Sequence, residues 1–172
     1  LSVGSSVEYL ALLMIGSIPM LLPISLLISV IFTLGALNRN QELAAIRALL
    51  EPEMASRALP RVHFALIDRL AAINSANQEA VMNQDAVAYV RTNLEFHRTL
   101  YLRAQTPAML AMIETVWLQL GPTMRALYQK VRRRDLPQHH RLILAALRAG
   151  DEPGLRLAVR TDVTQGLRHL IS

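Results

Sequence analysis

Hydrophobic and polar positions follow two regimes along this chain. From Tyr9 to Asn38, 30 residues carry no formal charge, and most are Leu, Ile, Met or Val. From about Ala44 onward, apolar residues recur at intervals of three and four, the period of an amphipathic helix and not the alternation of a strand. The pattern predicts a first amphipathic helix from Glu42 to Leu59, interrupted near Pro60. A second is expected over Val62 to Met82, with Ala65, Leu66, Leu70, Ile73 and Ala76 apolar. Asp85 is the expected N-cap of a third helix reaching about Arg103. Thr106 is the expected cap of a fourth, with Pro107 at its first position and a stripe through Ile113, Trp117, Leu120 and Met124. A fifth begins at Asp135 or Leu136, with Pro137 near its first turn, and stops at Gly150. Asp151 caps a sixth that tolerates Pro153 in its first turn and runs to about Leu170. The expected fold is all-α: a hydrophobic N-terminal helix, then an antiparallel bundle of about six helices. The Met and aromatic stripe, with Trp117 and Tyr128, is read as core.

As a helix the uncharged run would be about 45 Å long, more than the ~30 Å hydrocarbon core requires. The run is therefore expected to span or associate with a membrane through 9–38, tilted or kinked at Pro19 and Pro23. Arg39 and Arg47 follow it and no Lys or Arg precedes it, which places the C-terminal part in the cytoplasm and the helix in the inner membrane. If the helix is instead buried or absent, the whole chain is cytoplasmic. The pattern Pro19-x3-Pro23-Ile24-Ser25-Leu26-Leu27, then Thr33-Leu34-Gly35-x-Leu37-Asn38-Arg39-Asn40-x-Glu42-Leu43-x-Ala45-Ile46-Arg47-Ala48, resembles LptF/LptG-type lipopolysaccharide-export permeases. In that family a transmembrane helix runs into a short cytoplasmic coupling helix that meets an ATPase, and the resemblance puts Glu42 in this partner-coupling segment. It covers about 7–48, and Leu49-Leu50 stand where the family continues with Ala-Gly. Residues 1–45 are thus read as hydrophobic helix and coupling-like segment, and 46–172 as a separate bundle.

Composition narrows the chemistry. The chain has 172 residues and no cysteine, which excludes disulfides, zinc–thiolate sites and thiol catalysis. In residues 1–48, Glu8, Arg39, Glu42 and Arg47 cancel, so the net charge of +5 lies entirely in 49–172. Its densest run, Arg132-Arg133-Arg134, is read as a solvated helix end favoured by the helix dipole. Residues 1–48 contain no helix-turn-helix spacing and no basic recognition helix, so specific DNA binding by this chain alone is not expected.

One pair stands out. Asn93 and His97 are four apart, on one helix face, and an amide oxygen and an imidazole nitrogen can both ligate a metal. Taken alone, such a pair is more often solvated or packed in a core. The surrounding motifs go further. Arg47-Ala48-Leu49-Leu50-Glu51-Pro52-Glu53-x-Ala55, Asn93-x-x-Phe96-His97-x-x-Leu100 and His140-Arg141-x-Ile143-Leu144-x-Ala146-Leu147-x-Ala149-x-Asp151 occur in order over 46–172. Together they resemble the effector-binding (FCD) domain of FadR-subfamily GntR regulators.

That resemblance implies a divalent metal, Zn, Ni or Mn, held by Asn93, His97, His140 and Asp162, with a small carboxylate effector on the metal. Two positions depart from the commonest set, which has Asp at the Asn93 position and His at the Asp162 position. Arg47 is the cation by motif position for the effector carboxylate. His139 points about 100° away from His140 on a helix and is expected to be exposed. His169, two turns past Asp162, is not expected to replace it. A homodimer is compatible with the resemblance. No nucleophile or general-base motif accompanies these residues, so no enzyme is expected. The leading reading is a metal-dependent carboxylate-sensing domain of a GntR/FadR-type regulator without its winged helix. The rivals are a truncated LptF/LptG-like permease component and a metal-free helical interaction module, with His97 and His140 as hydrogen-bonded core residues. The two resemblances meet around Glu42–Leu50, as in a fusion or chimera.

Overall fold

The computed structural model describes residues 3–128 and 139–168, with side chains over 24–126 and 139–164. Every regular element among them is helical. The chain divides into two compact units, Leu1–Arg39 and Asn40–Ser172.

The first unit is helical from Val3. Its described apolar side chains, among them Leu26, Leu27, Ile31 and Phe32, are exposed. Among the described residues no helix is long and apolar enough to cross a membrane. The transmembrane helix expected over 9–38, and with it the inner-membrane placement, is therefore unsupported.

In the second unit, helix α1 (Val3–Ala58) ends where the sequence predicts, just before Pro60, in a 3-10 turn over Leu59–Arg61. Proline lacks the N–H that a further helical turn would need. Helix α2 (Phe64–Met82) starts at His63, whose Nδ1 accepts from the Leu66 N–H at 3.2 Å. Helix α3 (Ala86–Tyr101) is capped by Asp85, whose carboxylate accepts from the Val87 and Ala88 N–H groups at 3.0 and 2.9 Å. A 3-10 turn over Leu102–Ala104 leads to α4 (Pro107–Tyr128). There the expected cap is only half realised. The Thr106 carbonyl accepts from the Leu110 N–H at 3.0 Å, but the Thr106 hydroxyl has no hydrogen-bond partner. Helix α5 (His139–Ala149) ends at Gly150, whose φ of +65° is the left-handed conformation glycine adopts without steric cost. The expected start of α5 at Asp135 or Leu136 lies outside the described residues, as do the Arg132–Arg134 run and His169. Helix α6 (Glu152–Arg168) is capped by Asp151, which accepts from the Gly154 N–H at 3.0 Å; a Cβ on Gly154 would collide with that carboxylate.

Short turns make α2 and α3, and α5 and α6, antiparallel neighbours, and α3 also meets α4. The core at their centre is continuous, from Met54 and Leu70 through Phe96, Leu100 and Ile113 to Ile143, Leu155 and Val159. Trp117 belongs to it, as expected. Removing the α3 cap tests the local logic. Asp85→Ala is expected to lower unfolding free energy by about 1 kcal/mol, read from denaturant titration, without altering helix content at 25 °C. A change within error would show that the cap carries no net stability.

Candidate metal centre

Three helices bring the site together. His97 comes from the middle of α3, His140 from the first turn of α5 and Asp162 from α6. One potential ligand atom from each lies within 4.8 Å of the others. His97 is fully buried, and Asp162 is mostly so. Asn93 is buried one turn before His97 on the same helix. His139, expected to be exposed, is buried as well. Helix α5 meets both α2 and α6, so more than one face of its first turn is covered. Glu42 is exposed on α1.

The ring planes are set by packing. Phe96 stacks on His140 with centroids 4.0 Å apart and planes 10° from parallel. His97 and His140 meet edge to face at 5.2 Å. Phe96 and His97 are consecutive, so α3 supplies one imidazole and the apolar plate under the other.

His140 has one nitrogen engaged and one without a hydrogen-bond partner, whereas both nitrogens of His97 face a polar group. His140 Nδ1 lies 3.2 Å from Oδ1 of Asn74, and His97 Nδ1 lies 3.1 Å from the Tyr101 hydroxyl. Nε2 of His140 is buried with no hydrogen-bond partner. His97 Nε2 is 2.8 Å from Asp162 Oδ2, an ion-pair contact with that carboxylate.

Behind His97 sits a buried carboxylate. Glu51, on α1, is fully enclosed and accepts from Arg47 Nε, from Trp117 Nε1 at 3.0 Å and from the Tyr101 hydroxyl at 2.9 Å. Burial pushes its carboxyl up, but Arg47, His97 and the Trp117 hydrogen bond together hold it below its ordinary value. Tyr101 is pushed well up by burial and by Glu51, so it remains a hydroxyl. Arg47 is buried, and its Nη2 has no hydrogen-bond partner. Sequence reading missed Glu51, Tyr101 and Asn74 as parts of the site. The spacings Arg47/Glu51 and His97/Tyr101, both four apart, were the available signal.

Electrostatics favour a neutral imidazole facing an ionised carboxylate. Burial lowers His140 to about 4, against the attraction of Asp162. For Asp162, burial acts upward but is outweighed by the contact with His97 and by the charges of His97, His140 and Arg47. Its carboxyl is held well below the usual range.

A buried cluster of two imidazoles and a carboxylate from three helices could hold a metal ion. Comparison with known proteins places it. The FCD domain model matches residues 42–165, and the chain belongs to that family. The HTH-type transcriptional regulator McbR of Escherichia coli K12 is 28% identical over 141 residues, 79% of this chain and 64% of that protein. The solved structure of E. coli McbR/YncC superposes with a TM-score of 0.66 at 27% identity, covering 73% of this chain and 63% of that one. The chain thus spans a little under two-thirds of the relative it matches. That relative is a regulator, which fits the expectation of no enzyme. The lipopolysaccharide export system permease LptF/LptG model matches residues 1–49.

The depressed His140 has a consequence for stability. Unfolded, the imidazole takes up a proton near 6.5; folded, only near 4. Between these values the unfolded chain binds more protons, so stability falls as pH drops from 6.5 toward 4. Asp162, held low when folded, adds a further loss in the same direction below its ordinary 3.8. In chelator-treated protein, urea unfolding at pH 7 and pH 5 is expected to differ by on the order of 1–2 kcal/mol. His140→Gln should flatten that difference; an unchanged slope would remove His140 as its source.

Proposed function

We propose that the FCD unit is the small-molecule-sensing domain of a GntR-type transcriptional regulator. In this reading a divalent cation held by His97, His140 and Asp162, with Asn93 as a fourth ligand, receives a small carboxylate effector. The observation that carries it is the convergence of His97, His140 and Asp162 from three helices, with one potential ligand atom of each within 4.8 Å of the others and His140 Nε2 buried without a hydrogen-bond partner. Leaving a buried acceptor unsatisfied costs about 1–3 kcal/mol, and a cation at this point would satisfy it while matching the charge of Asp162. The donor set, two imidazoles and one or two oxygens, suits Zn²⁺, Ni²⁺ or Mn²⁺ and leaves positions open for a ligand. Bound there, the metal would supply a Lewis-acidic point for a carboxylate. Arg47, whose buried Nη2 is unpartnered, supports an anionic effector. Family membership and the regulator relative support the sensing role.

The test is metal content and thermal stability of the full chain. One Zn²⁺, Ni²⁺ or Mn²⁺ per chain is expected, lost in His97→Ala and His140→Ala. At a hundredfold excess over Kd the metal should add about 2.7 kcal/mol, raising Tm by roughly 5–11 °C. Wild-type protein with no metal and no such rise would leave a metal-free bundle.

A second reading applies to the first unit alone. The permease match over 1–49 and the exposed apolar side chains from Ile24 to Leu34 favour a membrane-associating segment. Fractionation with and without detergent separates the two cases, and recovery in the detergent-free soluble fraction would remove this reading.

A further inference from the structure

A cavity of about 350 Å³ opens at the end of α5 opposite the candidate metal centre. Leu59 in the 3-10 turn after α1, Ile67 on α2 and Leu147 in the last turn of α5 form its apolar wall. None of Asn93, His97, His140 and Asp162 lines it. Arg148, which does, lies two turns past His140 on α5, an axial rise of about 12 Å.

The two polar side chains of the cavity are both donors. His63 Nδ1 accepts from the Leu66 N–H at 3.2 Å, so that nitrogen carries no proton and the ring presents Nε2–H. The Arg148 guanidinium is exposed and has no ion-pair partner among the described residues. No carboxylate is among the described residues that line the cavity. Those nearest to Arg148 in sequence are committed elsewhere: Asp151 accepts from the Gly154 N–H, and Glu152 from the Ser56 hydroxyl and Arg156. Main-chain acceptors of the wall are engaged too, because the Leu59 carbonyl takes the Val62 N–H and the Leu147 carbonyl takes the Gly150 N–H. Phe64 lines the same cavity and, at 82%, is the most exposed large apolar side chain described in the second unit. It stacks on no other ring among the described residues.

We propose that this cavity binds a small aromatic monocarboxylate, its ring between Phe64 and the wall of Leu59, Ile67 and Leu147, and its carboxylate on Arg148 and His63. Charge selects the occupant. Two donors that face no acceptor match an anion and oppose an amine. Volume restricts it to a compact molecule, and the apolar wall disfavours a second carboxylate, which would lose water without gaining a donor. An aromatic ring gains most, because Phe64 offers it a face that otherwise meets only water. The site is separate from the metal centre and does not depend on metal binding.

The test uses the full chain, treated with chelator so that no metal can hold a carboxylate. It is titrated with 4-fluorophenylacetate and followed by ¹⁹F and backbone amide NMR. Saturable binding is expected, with a Kd of about 1 mM or below. The amides of Phe64 and Gly150 should shift, and those of Asn93 and Asp162 should not. Exchanging the probe for the neutral 4-fluorophenylacetamide, or making Arg148→Gln, should each weaken binding roughly ten-fold. Arg148→Lys should recover part of that loss, since it restores the charge without the planar fork. Phe64→Ala should also weaken binding; both side chains are exposed, so neither change disturbs the core. No saturable binding, equal affinity for the amide, or unchanged binding by Arg148→Gln would each overturn the proposal. So would amide shifts centred on Asn93 and Asp162, which would assign the carboxylate to the other site.

Discussion

A single carboxylate with no access to water organises the FCD unit. An ionised side chain in an apolar interior costs several kcal/mol unless hydrogen bonds and an opposite charge compensate for it. Glu51 has both, from three helices: the Arg47 guanidinium one turn earlier on α1, the Tyr101 hydroxyl on α3 and the Trp117 indole on α4. The arrangement works in both directions. The donors need Glu51, because two of them would otherwise bury an N–H or O–H without a partner. Glu51 needs them, because a buried charge stripped of its partner destabilises more than the intact pair stabilises. His97, on α3, lies 3.9 Å from Glu51 and also meets His140 of α5 and Asp162 of α6.

How far this could be read in advance varies with the range of the interaction. Local signals worked. Pro60, Asp85, Gly150 and Asp151 act within a turn of their own position, through a missing N–H, a capping carboxylate or a left-handed φ, and the helices end or begin there. Thr106 shows the limit even of a local signal, since its carbonyl closes the first turn while its hydroxyl bonds to nothing. The family resemblance pointed to His97, His140 and Asp162, and these residues do come together. The network behind them was not legible, because Glu51–Trp117 and Asn74–His140 are contacts between residues 66 apart, and no period or motif encodes them. His139 went wrong for a related reason. A helical wheel assigns one face inward, but a helix covered by two neighbours has more than one.

The transmembrane opening helix expected from the absence of charge over 9–38 finds no support among the described residues, where no helix is long and apolar enough to cross a membrane. The two family matches overlap at residues 42–49, on the last turns before Glu51. Arg47 lies in that overlap. In the FCD unit its role is defined by its buried bond to Glu51, whichever pattern its neighbours satisfy.

Phe96 carries no atom that could bind anything, yet it lies flat against His140 at 4.0 Å. An imidazole pinned face-on by a benzene ring can slide or tip only by losing that contact, so the plane of its nitrogens is held. A survey of this protein that scored only nitrogen, oxygen and sulfur would overlook the residue that sets the plane of His140. Divergence at position 96, from a flat ring to a branched aliphatic, would leave every polar side chain in place and still blur the site.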